Sequence, residues 1–205
     1  MILVTFEGTE GCGKSTLIRN LSEQLKQRSI SHISTREPGG SPVAESIRSI
    51  ILNQDMHPMT ELFLYEAARV EHYKNVIEPA LKQKKIVLCD RFTDSTVAYQ
   101  GAARGIDQKV IRYFNQQATL GRQPDLTFFL DLPVKEGLAR AQDPNRFERE
   151  GLGFQTEVRK GFLKLMGNVH PGTKKGRWVR LVVSKKSPEQ VCEQALQFLI
   201  KKLQK

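Results

Sequence analysis

The 205-residue sequence predicts a single α/β domain, a five-stranded parallel sheet flanked by helices. Two observations carry this expectation. Five short apolar runs, Ile2–Phe6, Ser31–Thr35, Ile86–Cys89, Leu126–Leu132 and Trp178–Val183, alternate with amphipathic stretches. Several of the runs are continuous Val/Ile/Leu/Phe, the pattern of strands covered on both faces. Right-handed crossovers through the intervening helices then make the sheet parallel.

The first strand runs into Gly8-Thr9-Glu10-Gly11-Cys12-Gly13-Lys14-Ser15, a full match to G-x-x-x-x-G-K-[ST], followed by Thr16. Glycines let backbone N–H groups turn inward around phosphate oxygens. Lys14 offers a point charge to the β- and γ-phosphates, and Ser15 a hydroxyl to magnesium. The helix that follows, with Leu17, Leu21 and Leu25 on one face, adds its positive N-terminal end. ATP is therefore expected over Gly8–Thr16. The third strand ends in Asp90, a carboxylate placed to orient magnesium with Ser15. Taken alone, Asp90 has a turn or helix N-cap residue as its other reading. Near the end, Ser187-Pro188 starts a helix to Leu203 with Val191, Ala195 and Phe198 at helical spacing. The polar segment 143–153, with Arg146-Phe147-Glu148-Arg149-Glu150, is expected to be a mobile lid.

Composition narrows the class. Hydrophobic residues make up 39% and charged residues 26%, an ordinary globular balance. The start has no basic n-region, and no apolar run approaches the roughly 20 residues of a membrane span. Cys12, Cys89 and Cys192 suggest neither a disulfide framework nor metal spacing, so a cytoplasmic location is expected. The net charge of +10 gathers partly near the C-terminus. No stacking aromatics or nucleic-acid motif accompany it, and a solvated basic face is the plainer reading, so neither nucleic acid nor membrane is expected as a partner.

P-loops serve many functions. What separates this chain is a set of arginines at strand ends and in loops: Arg36, Arg48, Arg69, Arg91, Arg104, Arg140, Arg146 and Arg149. Moving a phosphoryl group between two nucleotides requires neutralising phosphates on both sides, which Arg does with bidentate hydrogen bonds.

The motifs FEGTEGCGKST (Phe6–Thr16), TREPGG (Thr35–Gly40), AESIRSIIL (Ala44–Leu52), LFLYEAARV (Leu62–Val70), DRFTDSTVAYQGAARG (Asp90–Gly105), QPDLTFFLDL (Gln123–Leu132) and NRFEREGLGFQTEV (Asn145–Val158) stand in this order. In them the sequence resembles the bacterial-type thymidylate kinase family along nearly its whole length. The resemblance implies a P-loop kinase fold over 1–205 with a lid at about 143–153. It implies transfer of the γ-phosphoryl of ATP to dTMP with Mg2+, and a homodimer. It matches Glu10 to the acid that meets the deoxyribose 3′-hydroxyl, and Glu37 and Pro38 to residues beside the acceptor. Arg48 and Arg91 match the pair holding the acceptor phosphate. Tyr65 matches the ring that stacks on thymine, and Arg69 the donor to its O4. Ser95, Tyr99 and Gln100 match the sugar and base lining. Arg146 matches the lid arginine that, with Lys14 and Arg91, surrounds the transferring phosphoryl.

The sequence departs from the family in three places. Phe92 replaces a usual Tyr or His, Asn145 a usual Asp, and Cys12 a usual Ala; Cys12 would lie at a helix N-terminus, where a thiol pKa can fall. Two alternatives stay open. One is a kinase for dUMP or dCMP, since stacking on Tyr65 does not choose among pyrimidines, although Arg69 as a donor disfavours cytosine. The other is a nucleotide-binding regulator or nucleic-acid-associated ATPase, suggested by the charge.

Overall fold

The computed structural model describes residues 2–140, 146–167 and 174–204. Five parallel strands form the sheet: β1 Leu3–Glu7, β2 His32–Arg36, β3 Ile86–Asp90, β4 Leu126–Asp131 and β6 Trp178–Val182. A two-residue strand, β5 Lys174–Lys175, adds an antiparallel edge, giving the order β2-β3-β1-β4-β6-β5. Each of the five expected runs became a strand to within a residue or two at its ends. The antiparallel edge was not expected; a Lys-Lys pair carries no strand signal, and the turn at Gly176-Arg177 creates it.

The helices follow in chain order: α1 Lys14–Gln27, α2 Pro42–Asn53, α3 Pro58–His72, α4 Glu78–Lys82, α5 Thr93–Thr96, α6 Gln108–Thr119, α7 Val134–Leu138, α8 Arg146–Arg149, α9 Gly151–Met166 and α10 Pro188–Leu203. Two π-helical stretches, Tyr73–Ile77 and Val97–Ala103, continue α3 and α5. Period-2 alternation sends strand side chains to two cores. Val4, Phe6, Leu88, Phe128 and Leu181 meet Leu17, Leu21 and Leu25 of α1 and Val191, Ala195 and Leu199 of α10. On the other face Phe129 meets Val158 and Phe162 of α9, and Val87 and Cys89 meet Tyr73 and Ile77. The Ser187 side chain caps α10 in a capping box with Gln190.

Of the expected lid, residues 143–145, Asn145 among them, lie outside the described residues. The part that is described is not a free flap: Arg146 and Phe147 are buried, whereas Arg149 and Glu150 are exposed. Among the described residues no helix is long and apolar enough to cross a membrane.

Candidate active site

The loop Gly8–Ser15 leaves β1 between β3 and β4, at the C-terminal edge of the sheet where α/β ligands bind. Gly11 takes φ 69° and Gly13 φ 93°, left-handed values that cost other residues energy. The loop tip also meets the backbone of α7: a Cβ on Gly137 would stand 2.3 Å from the Glu10 carbonyl oxygen, and one on Gly11 2.1 Å from that of Gly137. Lys14 is buried and its Nζ folds back onto the loop, donating to Thr9 O at 3.1 Å and Gly8 O at 3.3 Å. No side chain caps the N-terminus of α1, which leaves its first N–H groups for an anion.

Across the crevice, Ser15 Oγ donates to Asp90 Oδ2 at 3.1 Å. Asp90 Oδ1 is buried and has no hydrogen-bond partner among the described residues. A hydroxyl and a half-used carboxylate are the hard oxygen donors that suit Mg2+. Arg91 follows with φ 67°. Its guanidinium donates to Glu10 Oε1 at 2.7 Å and Gly8 O at 3.0 Å and lies 4.8 Å over the Tyr99 ring. The Tyr99 hydroxyl also donates to Glu10 Oε1, at 3.0 Å. Burial pushes the Glu10 carboxyl up, but Arg91 and Lys14 outweigh it and hold it below its ordinary value. Burial likewise pushes the Cys12 thiol up, and Lys14 offsets only part of that. The lowering that a helix N-terminus can produce is thus not the direction found at Cys12.

A cavity beside the loop is lined by Glu10, Glu37, Pro38, Arg48, Tyr65, Arg91, Ser95, Tyr99 and Gln100, with Phe147 of α8 across from the tyrosines. The structure thus gathers nine of the ten residues expected around the acceptor. Tyr99 and Gln100 come from the π-helical stretch, a device common at functional sites. Arg48 Nη1 is held by Pro38 O at 2.9 Å.

Arg69, the tenth, does not line the cavity. It is buried behind the wall, donating to Glu37 at 2.8 Å, Glu66 at 2.6 Å, Asn115 at 2.7 Å and Phe92 O at 3.3 Å. His72 Nδ1 lies 3.0 Å from the second Glu37 oxygen. Against the upward push of burial, these two partners hold the Glu37 carboxyl low. Arg146 is also engaged: its Nη2 donates to the buried Glu61, and its guanidinium lies 4.7 Å over the Phe147 ring.

A second cavity, on the other side of the loop, is lined by Cys12, Gly13 and Thr16, which sequence reasoning assigned to ATP, and by Arg140, Val183, Lys186, Pro188 and Val191, which it did not assign there. Arg140 Nη1 reaches Gly11 O at 3.3 Å. The alternation of arginines included Arg140 but could not rank it. Glu61 and Gly137 gave no signal at all.

A phosphate loop on a parallel sheet, with a cavity on each side, defines a P-loop nucleotide-binding protein with room for two ligands. The family model described as thymidylate kinase matches residues 6–195. The chain is 49% identical over 174 residues to a thymidylate kinase of Geotalea uraniireducens, covering 79% of this chain and 82% of that one. It is 43% identical over 205 residues to one of Acinetobacter baumannii, covering 97% and 100%. The crystal structure of thymidylate kinase from Ehrlichia chaffeensis superposes with a TM-score of 0.76 at 31% identity, covering 97% of this chain and 98% of that chain. The chain belongs to the thymidylate kinase family, enzymes that use ATP to phosphorylate dTMP to dTDP.

Proposed function

We propose that dTMP occupies the cavity between Glu37 and Phe147, and that ATP with Mg2+ occupies the loop and the cavity beyond it. The observation that carries this reading is the position of the two cavities, one on each side of Gly8–Ser15. Tyr65 and Phe147 supply flat surfaces for a base, and Gln100 a carboxamide for its edge. Arg48 and Arg91 stand at the phosphate end. Glu10 accepts from the deoxyribose 3′-hydroxyl, and Tyr99 beside it crowds a 2′-hydroxyl. Lys14 and the α1 N-terminus hold the β- and γ-phosphates. Ser15 and Asp90 hold Mg2+, which supplies charge neutralisation to the transferring group.

The dTMP phosphate is ionised at neutral pH, so the chain's own task is alignment of the two phosphates and exclusion of water. Arg140, which follows α7 and donates to Gly11 O of the loop, serves the donor phosphates. Arg146 joins the transferring phosphoryl only on leaving Glu61. The exposed apolar side chains Val43, Ile50, Phe63 and Val70 of α2 and α3, with Tyr113 of α6, give a second copy a face to cover; sedimentation would read the dimer directly. A cytoplasmic location accords with three free cysteines. The test of function is to mix the chain with ATP, Mg2+ and dTMP, dUMP, dCMP or ribo-TMP in turn and to follow ADP. Fastest turnover with dTMP is expected; preference for another monophosphate would overturn the reading.

A further inference from the structure

We infer that Glu61, which lines neither of the two cavities, sets the base specificity of the acceptor site by fixing which way the Gln100 carboxamide faces. The inference rests on the reading that this cavity holds the base of dTMP.

Glu61 stands in the first turn of α3 and is fully buried. Its Oε1 accepts from Gln100 Nε2 at 2.7 Å and from Arg104 Nε at 3.3 Å. Its Oε2 accepts from Arg104 Nη2 at 3.2 Å and from Arg146. Two guanidiniums thus compensate the buried charge. A carboxylate so held has only acceptors to offer. An amide facing it must present its NH2 group, so the flip of Gln100 follows from chemistry and not from the ambiguity that usually attends amides.

The other end of the same amide, Oε1, receives no hydrogen bond among the described residues, and Gln100 lines the acceptor cavity. The site therefore offers an acceptor to the base edge. Thymine and uracil carry a hydrogen on N3 and match it. Cytosine has a lone pair on N3, which would face the oxygen unpaired. Arg69, the other candidate for reading the base edge, spends four of its five N–H donors on Glu37, Glu66, Asn115 and Phe92 O behind the wall, which leaves one Nη2–H. Whether an acceptor faces N3 is set by the orientation of Gln100, and Glu61 is the positioning residue that dictates it.

The test compares kcat/KM for dTMP and dCMP in the purified full chain. Glu61→Gln keeps the shape but can present either N–H or C=O to Gln100, which removes the forced orientation. The dTMP:dCMP ratio should fall about tenfold or more, the scale set by one mismatched buried hydrogen bond. Arg104→Met removes one of the two guanidiniums on Glu61 and leaves Gln100 in place, so the ratio should stay within about twofold. In a Gln100→Ala background, Glu61→Gln should change the ratio no further. Glu61→Asp, one methylene shorter, is the second variant if Glu61→Gln does not fold, with a shift in the same direction expected.

An unchanged ratio in the Glu61 variant, or an equal shift in Arg104→Met, would overturn the inference alone, provided the wild type prefers dTMP. A wild type that used dCMP as well as dTMP would sink the acceptor reading with it.

Discussion

Replacing Gly137 by Ala tests whether α7 sets the position of the phosphate loop. The added Cβ would lie 2.3 Å from the Glu10 carbonyl oxygen, a backbone atom. Real Cβ contacts stay beyond 3.0 Å, so loop and helix must separate by about 0.7 Å or more. No flexible side chain is there to swing aside. The loop carries Lys14 and the α1 N-terminus, and misplacing such groups by about 1 Å costs up to ~10²-fold in rate. Overpacking should also cost about 1–3 kcal/mol of stability. Steady-state kinetics at saturating dTMP with ATP varied, alongside thermal denaturation, measure both. The expected result is a 10- to 100-fold fall in kcat/KM for ATP, as an order of magnitude. If Gly137→Ala kept its kcat/KM for ATP within about twofold of wild type, the close approach would not govern the loop.

Substitutions at three further positions follow. Lys14→Ala removes a charge whose contact strengthens during transfer; a loss of ~4 kcal/mol is about 10³-fold in kcat, and retention of more than about a tenth of wild-type turnover would count against its role. Tyr99→Phe keeps the ring and should keep most preference for dTMP over ribo-TMP, whereas Tyr99→Ala should relax it; equal preference in wild type and Tyr99→Ala would refute crowding of the 2′ position. Burial, with Asp94 nearby, pushes the Glu7 carboxyl up to about 8 from 4.5. The folded chain then binds the extra proton between those values, so this contribution to stability is complete below about 4.5 and is lost as pH rises through about 8, at up to ~1.4 kcal/mol per pH unit. Glu7→Gln should show a smaller fall in urea midpoint between pH 6 and pH 8 than wild type, and an equal fall would reject the assignment.

What could be read from the sequence was what lies contiguously in it. Ile2–Phe6 and Ile86–Cys89 announce buried strands because both faces are covered, and Gly8–Ser15 announces a phosphate loop because one turn makes it. Tyr65, Tyr99 and Gln100 lie in motifs specific enough to place. The destinations of long charged side chains were not legible, because their partners are distant in the chain. Besides its local pair with Glu66, Arg69 is claimed by Glu37, 32 residues away, and Arg146 by Glu61, 85 residues away. The contact of Gly137 with Glu10 likewise exists only once β1 and β4 pair. Composition could not reveal it, since a glycine in a short helix usually only weakens it.

The distribution of ion pairs bears on how a site so rich in arginine stays assembled yet free to bind phosphate. Arg91 is paired with Glu10, Arg69 with Glu37 and Glu66, and both Arg104 and Arg146 with Glu61. Each of these guanidiniums is largely buried, and a buried cation without a carboxylate would be strongly destabilising. Arg48 and Arg140 differ: the hydrogen bonds they make go to backbone carbonyl oxygens, Pro38 O and Gly11 O, and neither has an ion-pair partner among the described residues. A carbonyl fixes the direction of a guanidinium without neutralising it. The two therefore keep a full charge in a set geometry, one lining the acceptor cavity and one lining the donor cavity. On the proposed assignment of the two cavities, a phosphate entering either side meets a cation with no carboxylate to displace. The carboxylate-bound arginines, by contrast, set the shape of the walls, and only Arg91, which is paired and also lines the acceptor cavity, does both.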